Sequence, residues 1–156
     1  MKFTPGQVQE ALGLSKATFR HWKEALPPLD GRNGYTPCFT PGDLLAMAVV
    51  KNLTEEVGIR VSSLRVIASD LFQHCSRNSW AGLERSTLII EPLRARVSSA
   101  PEVQSAPLEG LAIVLPLRPI IAALRERLLL EQPEPQQELL RFPPTALEGA
   151  ARSRNQ

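Results

Sequence analysis

Cysteine and histidine are both scarce in this chain, with two of each among its 156 residues. Cys38 and Cys75 stand far apart, so they provide neither a disulfide framework nor the paired spacing of a zinc site. We interpret each cysteine as a small buried hydrophobe in a reducing compartment. His74 beside Cys75 is likewise interpreted as structural, and we predict no bound metal or other cofactor.

The sequence also lacks the motifs that carry most enzyme chemistry. It contains no glycine-rich phosphate loop, no nucleophile elbow and no metal-binding histidine pair. The amino-terminal residues lack the long apolar run of a secretory signal, and the most apolar stretches are too short to span a bilayer. We therefore predict a cytoplasmic protein that is not an enzyme and makes no membrane contact.

An excess of charge of one sign is missing as well. The chain has 18 basic and 16 acidic residues, a formal net charge of +2. Any contact with nucleic acid must therefore come from local clustering of bases and not from a global positive field. Hydrophobic residues make up 43% of the chain, so a core can be buried.

The amino-terminal residues predict two helices joined by a tight turn. Thr4-Pro5-Gly6-Gln7 has a capping threonine, a proline suited to the first helical position and a glutamine that can close a capping box. Gly13 ends this helix, and Ser15 caps a second one over residues 15–24. A helix, a short turn and a basic helix form the helix-turn-helix arrangement, in which the second helix enters the major groove.

The second helix has two contrasting sides. We expect its apolar side to pack in the core; it consists of Ala17, Phe19 and Trp22. The opposite side is basic and polar and suits an anion; it consists of Lys16, Thr18, Arg20, His21 and Lys23. An ordinary amphipathic helix with a solvated basic side remains the alternative interpretation.

The next segment predicts a small wing and two further helices. Pro27-Pro28 should drive the chain into extended structure, and Asn33-Gly34 favours a β-hairpin over residues 30–39. Thr40-Pro41-Gly42-Asp43 repeats the earlier helix start, so a third helix is expected from about Pro41 to Leu53. A fourth helix is expected from about Ser62 to His74.

This order of parts, over about residues 3–75, resembles the DNA-binding domain of the MerR family of transcription regulators. Thr18-Phe19-Arg20-His21-Trp22 is similar to the family's recognition-helix run, with His21 in place of the first aromatic residue. Asn33-Gly34-Tyr35-Thr36 is similar to its wing, with Thr36 in place of the usual arginine. Thr40-Pro41-Gly42-Asp43 and the stretch 56–67 are similar to the helix start and the turn-helix that follow.

The resemblance implies a winged helix-turn-helix fold and a set of DNA-contacting side chains. The recognition helix would lie in the major groove and the wing on the DNA backbone. The implied DNA-binding residues are Ser15, Lys16, Thr18, Arg20, His21 and Lys23 from the helix and Arg32, Asn33 and Tyr35 from the wing.

The second half departs from that family. Nine of the 14 prolines come after position 75, which excludes one long dimerising coiled coil. Residues 76–79 read as a linker, 87–91 and 94–97 as strands, and 110–115 as a strand buried on both faces or a buried helix. A helix should run from Pro119 to about Leu130, followed by a disordered tail.

These patterns together predict an α+β protein with three segments. Residues 1–75 form the winged helix-turn-helix, with four helices and a hairpin wing; residues 76–131 form a small sheet-and-helix module; residues 132–156 form the disordered tail. Because such a small sheet lacks a core of its own, we expect the module to pair with a second copy.

The predicted function is that of a homodimeric, sequence-specific regulator of transcription, bacterial or phage, that binds double-stranded DNA at the nucleoid. The alternative is an architectural DNA-binding protein, such as an excisionase or a terminase small subunit of a phage. RNA polymerase and a small-molecule effector remain open as further partners.

Overall fold

The computed structural model describes residues 1–32, 36–99 and 110–130 and has an α+β fold. Within these residues six α-helices and two short 3₁₀ turns accompany a three-stranded antiparallel sheet. The helices are α1 (Pro5–Leu12), α2 (Lys16–Ala25), α3 (Pro41–Glu55), α4 (Arg65–Arg77), α5 (Trp80–Leu83) and α6 (Leu117–Leu130). The 3₁₀ turns span Pro27–Leu29 and Val61–Leu64. The strands are β1 (Ser86–Glu91), β2 (Arg94–Ser99) and β3 (Ile113–Pro116).

The predicted starts of α1 and α2 are confirmed. The Thr4 side chain accepts a hydrogen bond from the Gln7 backbone, and the Gln7 side chain accepts one from the Thr4 backbone, which completes a capping box. Gly13 ends α1 with φ 61°, a left-handed conformation that favours glycine. Ser15 then caps α2, so only the three residues 13–15 separate the two helices.

Helix α3 is the centre of the core. Thr40 and Asp43 form its capping box, and every residue from 42 to 50 is buried. Its amino-terminal end lies so close to α4 that a Cβ atom on Gly42 would stand 2.5 Å from the Cα atom of Ser76. Trp80 closes the same end by donating its indole N–H to the carbonyl oxygen of Pro41 at 3.0 Å.

The segment between α2 and α3 differs from the extended structure predicted for it. Residues Pro27–Leu29 form a 3₁₀ turn, because the fixed φ of proline suits a 3₁₀ turn as well as an extended chain. Phe39 then forms an isolated antiparallel bridge with Phe3, and its ring meets Phe19 edge-on at 5.8 Å between centroids. The hairpin tip, residues 33–35, lies outside the described residues, so the predicted wing stays a prediction.

The fourth helix and the predicted linker also have different bounds. A 3₁₀ turn occupies Val61–Leu64, and α4 begins only at Arg65. Ser76 and Arg77, predicted as linker, form the last turn of α4, whereas Ser79 caps the short helix α5. The buried side of α4 consists of Ile67, Ala68, Leu71, Phe72 and Cys75.

The sheet has the strand order β2-β1-β3, with both pairs antiparallel. Leu88 and Ile90 of the central strand β1 join the hydrophobic core. The prediction of a β3 strand buried on both faces is wrong: its residues alternate between half-buried and exposed, and Val114 is 43% exposed. The reason is that only the face of β3 that carries Ile113 and Leu115 packs against the core, whereas Val114 points to the opposite face.

Helix α6 joins the two halves of the chain into one core. Its residues Ile120, Ile121 and Leu124 are buried and belong to the same hydrophobic cluster as Leu12 of α1 and the interior of α3. The sheet and α6 therefore obtain their core from the amino-terminal helices. The reason given above for dimerisation, a module without a core of its own, does not apply to this fold. The tail, residues 132–156, lies outside the described residues.

Candidate nucleic-acid interface

The candidate interface begins at the first turn of α2, where two hydroxyl groups are fixed by local hydrogen bonds. The Ser15 Oγ atom accepts from the backbone N–H of Thr18 at 3.0 Å and lies 2.8 Å from the Thr18 Oγ1 atom. Lys16 stands exposed beside them, and no acidic residue occupies this first turn. The arrangement leaves a helix amino terminus with its partial positive charge open to an anion.

The two sides of α2 are largely as predicted. Phe19 and Trp22 are buried, whereas Arg20 and His21 are exposed to solvent. Ala17, predicted on the apolar side, is exposed instead. Two residues along a helix turn through about 200°, so Ala17 lies opposite Phe19 and cannot share its face.

The charges on the exposed side of α2 are only loosely held. The Arg20 Nε atom lies 3.2 Å from Glu24 Oε1, but the two side chains are 84% and 65% exposed. An ion pair this exposed contributes at most about 1 kcal/mol, so Arg20 can exchange Glu24 for a phosphate at little cost. Lys23 is half-buried at the edge of this surface.

Arg32, predicted on the wing, is directed toward α3. Its Nη1 atom lies 2.5 Å from Asp43 Oδ2 and 3.5 Å from the carbonyl oxygen of Cys38, and its guanidinium lies 5.6 Å from the centroid of the Phe39 ring. These contacts fix the chain where it enters the predicted wing. Asn33 and Tyr35, the other predicted wing contacts, lie outside the described residues.

Asp43 is a residue whose importance sequence reasoning missed. It is buried, yet its carboxylate accepts from the Thr40 N–H and the Thr40 hydroxyl at 2.8 Å each, in addition to Arg32. Its position three residues after Thr40 signals the cap. The partnership with Arg32, eleven residues away, has no signal in the sequence.

A second missed feature lies at the carboxyl-terminal end of α1. The Lys51 ammonium donates to the carbonyl oxygen of Leu12 at 2.8 Å, and the Arg127 guanidinium donates to that of Ala11 at 3.1 Å. Cations are favourable here because the last carbonyl groups of a helix carry partial negative charge. Arg127 is exposed on α6, but its guanidinium reaches a helix more than one hundred residues earlier in the chain.

The cysteine and histidine residues form no recognisable reactive centre in the described part of the chain. Burial, with a smaller contribution from the nearby charge of Asp43, raises the pKa of the Cys75 thiol to about 12. Among residues 1–32, 36–99 and 110–130, no three His, Cys, Asp or Glu side chains come together as metal ligands. No helix in these ranges is long and apolar enough to cross a membrane.

Comparison of the chain with protein-family models, with curated proteins and with solved structures gives no match. The grounds for assigning a function are therefore structural: the chain has an α+β fold in which the capped helix α2 has a basic exposed side.

Proposed function

We propose that the chain is a sequence-specific double-stranded-DNA-binding regulator of transcription, with α2 as its recognition helix in the major groove. The observation that carries the proposal is the division of α2 between a buried side, with Phe19 and Trp22, and an exposed basic side. The buried side anchors the helix, so the exposed side can meet DNA without rearrangement of the core.

The electrostatics of α2 support this proposal. Lys16, Arg20 and Lys23 outnumber Glu24, so the helix carries a net charge of +2 with histidine neutral, the same as the whole chain. Local clustering of this kind provides phosphate attraction in a chain of nearly balanced charge. The open amino terminus of α2 adds a site for one phosphate group.

We propose α1, the turn 13–15 and α2 as a helix-turn-helix and the segment 30–39 as its wing. The contact of Arg32 with Asp43 gives this arginine a positioning role at the base of the wing. Direct contact with DNA is then assigned to Ser15, Lys16, Thr18, Arg20, His21 and Lys23, with Asn33 and Tyr35 added by the wing.

We further propose that two copies bind together through residues 76–131, because paired half-sites place two recognition helices on one face of DNA. The described sheet ends in β3, whose outer side and exposed Val114 are open to a second copy. Sedimentation equilibrium of the purified chain tests this directly: a monomer at concentrations that saturate DNA contradicts the dimer.

The experiment that tests DNA binding measures fluorescence anisotropy of a labelled duplex taken from upstream of the chain's own gene. Unlabelled nonspecific DNA is added in excess, and the titration is repeated at two salt concentrations because phosphate contacts weaken with salt. A complex that survives the competitor supports a sequence-specific regulator. A complex that the competitor removes supports the architectural alternative, as does bending of the duplex without sequence preference.

Arg20→Ala is the decisive variant. We expect it to weaken specific binding by about 1–3 kcal/mol, the contribution of a good base contact. Arg85→Ala, which removes an exposed arginine before β1, is the matched control for loss of one positive charge. Equal effects of the two substitutions, or no effect of either, would remove Arg20 from the interface.

A further inference from the structure

A cavity of about 450 Å³ lies where α6 packs beside α1 and α3. Its apolar wall includes Leu12, Ala48, Ile120 and Leu124, and its charged side is formed by Lys51 and Arg127. Sites for small organic molecules combine the same two elements, an apolar wall and a few converging polar groups, at volumes of roughly 300–1,000 Å³.

The two cations converge on one point at the end of α1. A Cβ atom built on Gly13 would lie 3.8 Å from both the Arg127 Nη1 atom and the Lys51 Nζ atom. Each cation uses one N–H on a carbonyl oxygen of α1, but an ammonium has three N–H groups and a guanidinium five. An anionic group can therefore join the cations without displacing the carbonyl oxygens.

Two acidic residues restrict the charge of the occupant. Glu55 and Glu56 line the cavity at the end of α3, and Glu55 Oε2 lies 3.6 Å from Lys51 Nζ. With two cations and two carboxylates in the lining, a multiply charged anion gains little. A single carboxylate on an apolar body matches the wall and the cations best.

We propose that this cavity binds a small apolar carboxylate, with the apolar body against α6 and the carboxylate between Lys51 and Arg127. The regulatory part of the inference rests on the proposed function. The ligand would bind the cations that hold the last carbonyls of α1, immediately before the turn 13–15 that leads into α2. Its binding is therefore coupled to DNA binding, and the coupling is reciprocal.

The test uses octanoate as the probe and octanol as its uncharged match, titrated into the full chain by isothermal calorimetry. We expect octanoate to bind at least about tenfold more tightly than octanol, because one charge-assisted hydrogen bond accounts for that factor. Arg127→Gln should remove most of this preference. Arg125, elsewhere on α6, contacts Glu84 after α5, so Arg125→Gln should leave the preference unchanged.

A second variant tests the cavity independently of the cations. Ala123 is exposed and lines the cavity, so Ala123→Leu should narrow it without disturbing the core and should weaken octanoate binding at unchanged melting temperature. Equal binding of octanoate and octanol, or octanoate binding unaffected by Arg127→Gln and Ala123→Leu, overturns the proposal.

Titration of the labelled duplex with the chain, without and with saturating octanoate, separates the ligand site from the proposed function. A shift of at least twofold in the duplex dissociation constant upon saturation with octanoate supports regulation, and no shift overturns the regulatory part. If the chain binds octanoate through the cavity but binds no DNA, the ligand site stands and the proposed function fails.

Discussion

Replacement of Gly42 by alanine is predicted to destabilise the protein, contrary to ordinary helix propensity. Gly42 lies in the first turn of α3, where alanine is normally the better helix former by up to about 1 kcal/mol. At this position, however, an added Cβ atom would stand 2.5 Å from the Cα atom of Ser76 and 2.8 Å from the carbonyl oxygen of Cys75. Both are backbone atoms, so no side-chain rotation relieves the clash.

The size of the destabilisation follows from two opposing contributions, the steric clash at the new Cβ atom and the gain in helix propensity. Real Cβ atoms do not approach other atoms so closely, so α3 and the end of α4 must move apart. Insertion of one methyl group into a packed core costs about 1–3 kcal/mol. Because the contact joins two backbones at the centre of the fold, we expect a cost in the upper part of this range. This cost outweighs the gain in helix propensity, so the free energy of unfolding should fall by about 1–2 kcal/mol.

Gly6→Ala provides a matched control, because Gly6 occupies the same position in the Thr-Pro-Gly start of α1. A Cβ atom there would meet only the Thr4 Oγ1 atom, at 3.9 Å. Urea denaturation followed by circular dichroism gives the free energy of unfolding of each variant. Gly6→Ala should be neutral or stabilising. Equal stability of the two variants would refute the close approach of α3 and α4.

Two further predictions concern other parts of the core. Trp22→Ala should lower the free energy of unfolding by about 3–5 kcal/mol because the indole is buried, and an unchanged melting temperature with loss of DNA binding would instead assign Trp22 to the interface. Cys75, whose pKa is raised to about 12, should stay protonated and resist iodoacetamide in the folded protein at mildly alkaline pH. Mass spectrometry should show Cys75 modified only after denaturation. Modification of Cys75 in the folded protein as fast as that of an exposed thiol would contradict its burial.

A last prediction concerns Asp43, the buried carboxylate at the start of α3. Asp43→Ala should destabilise the protein by roughly 2–4 kcal/mol, because it removes the carboxylate half of the capping box and the charged partner of Arg32. The same urea measurement applies. Glu24→Ala breaks an exposed ion pair and should leave stability nearly unchanged, so a similar effect of both substitutions would contradict the assigned role of Asp43.

The helix starts were predictable from the sequence because a cap is a local interaction. Thr4 with Gln7 and Thr40 with Asp43 each satisfy backbone groups within three residues, so the pattern alone carries the information. The burial of Trp22 was predictable for a similar reason, since the two sides of α2 differ strongly in polarity.

Contacts between distant residues were not predictable in the same way. Gly6 and Gly42 follow the same Thr-Pro motif, yet only Gly42 meets a neighbouring backbone. Arg32 has the composition of a solvent-facing turn residue, but the folded chain places it against Asp43. The apolar run 110–115 gave no sign that its strand lies at the edge of the sheet, because periodicity describes one strand and not its neighbours.

The core that residues 76–131 share with the amino-terminal helices bears on function. Judged alone, the small sheet and single helix predicted for residues 76–131 are too small for an independent core, which suggested a second copy as the missing half. The fold completes that core with α1, α3 and α4 instead, and Arg127 of α6 also holds the end of α1. Arg127 thus connects α6 to the residues immediately before the turn that leads into α2. If α2 reads DNA, the second half of the chain is in direct contact with the helix that positions it, and control of binding requires no movement between separate domains.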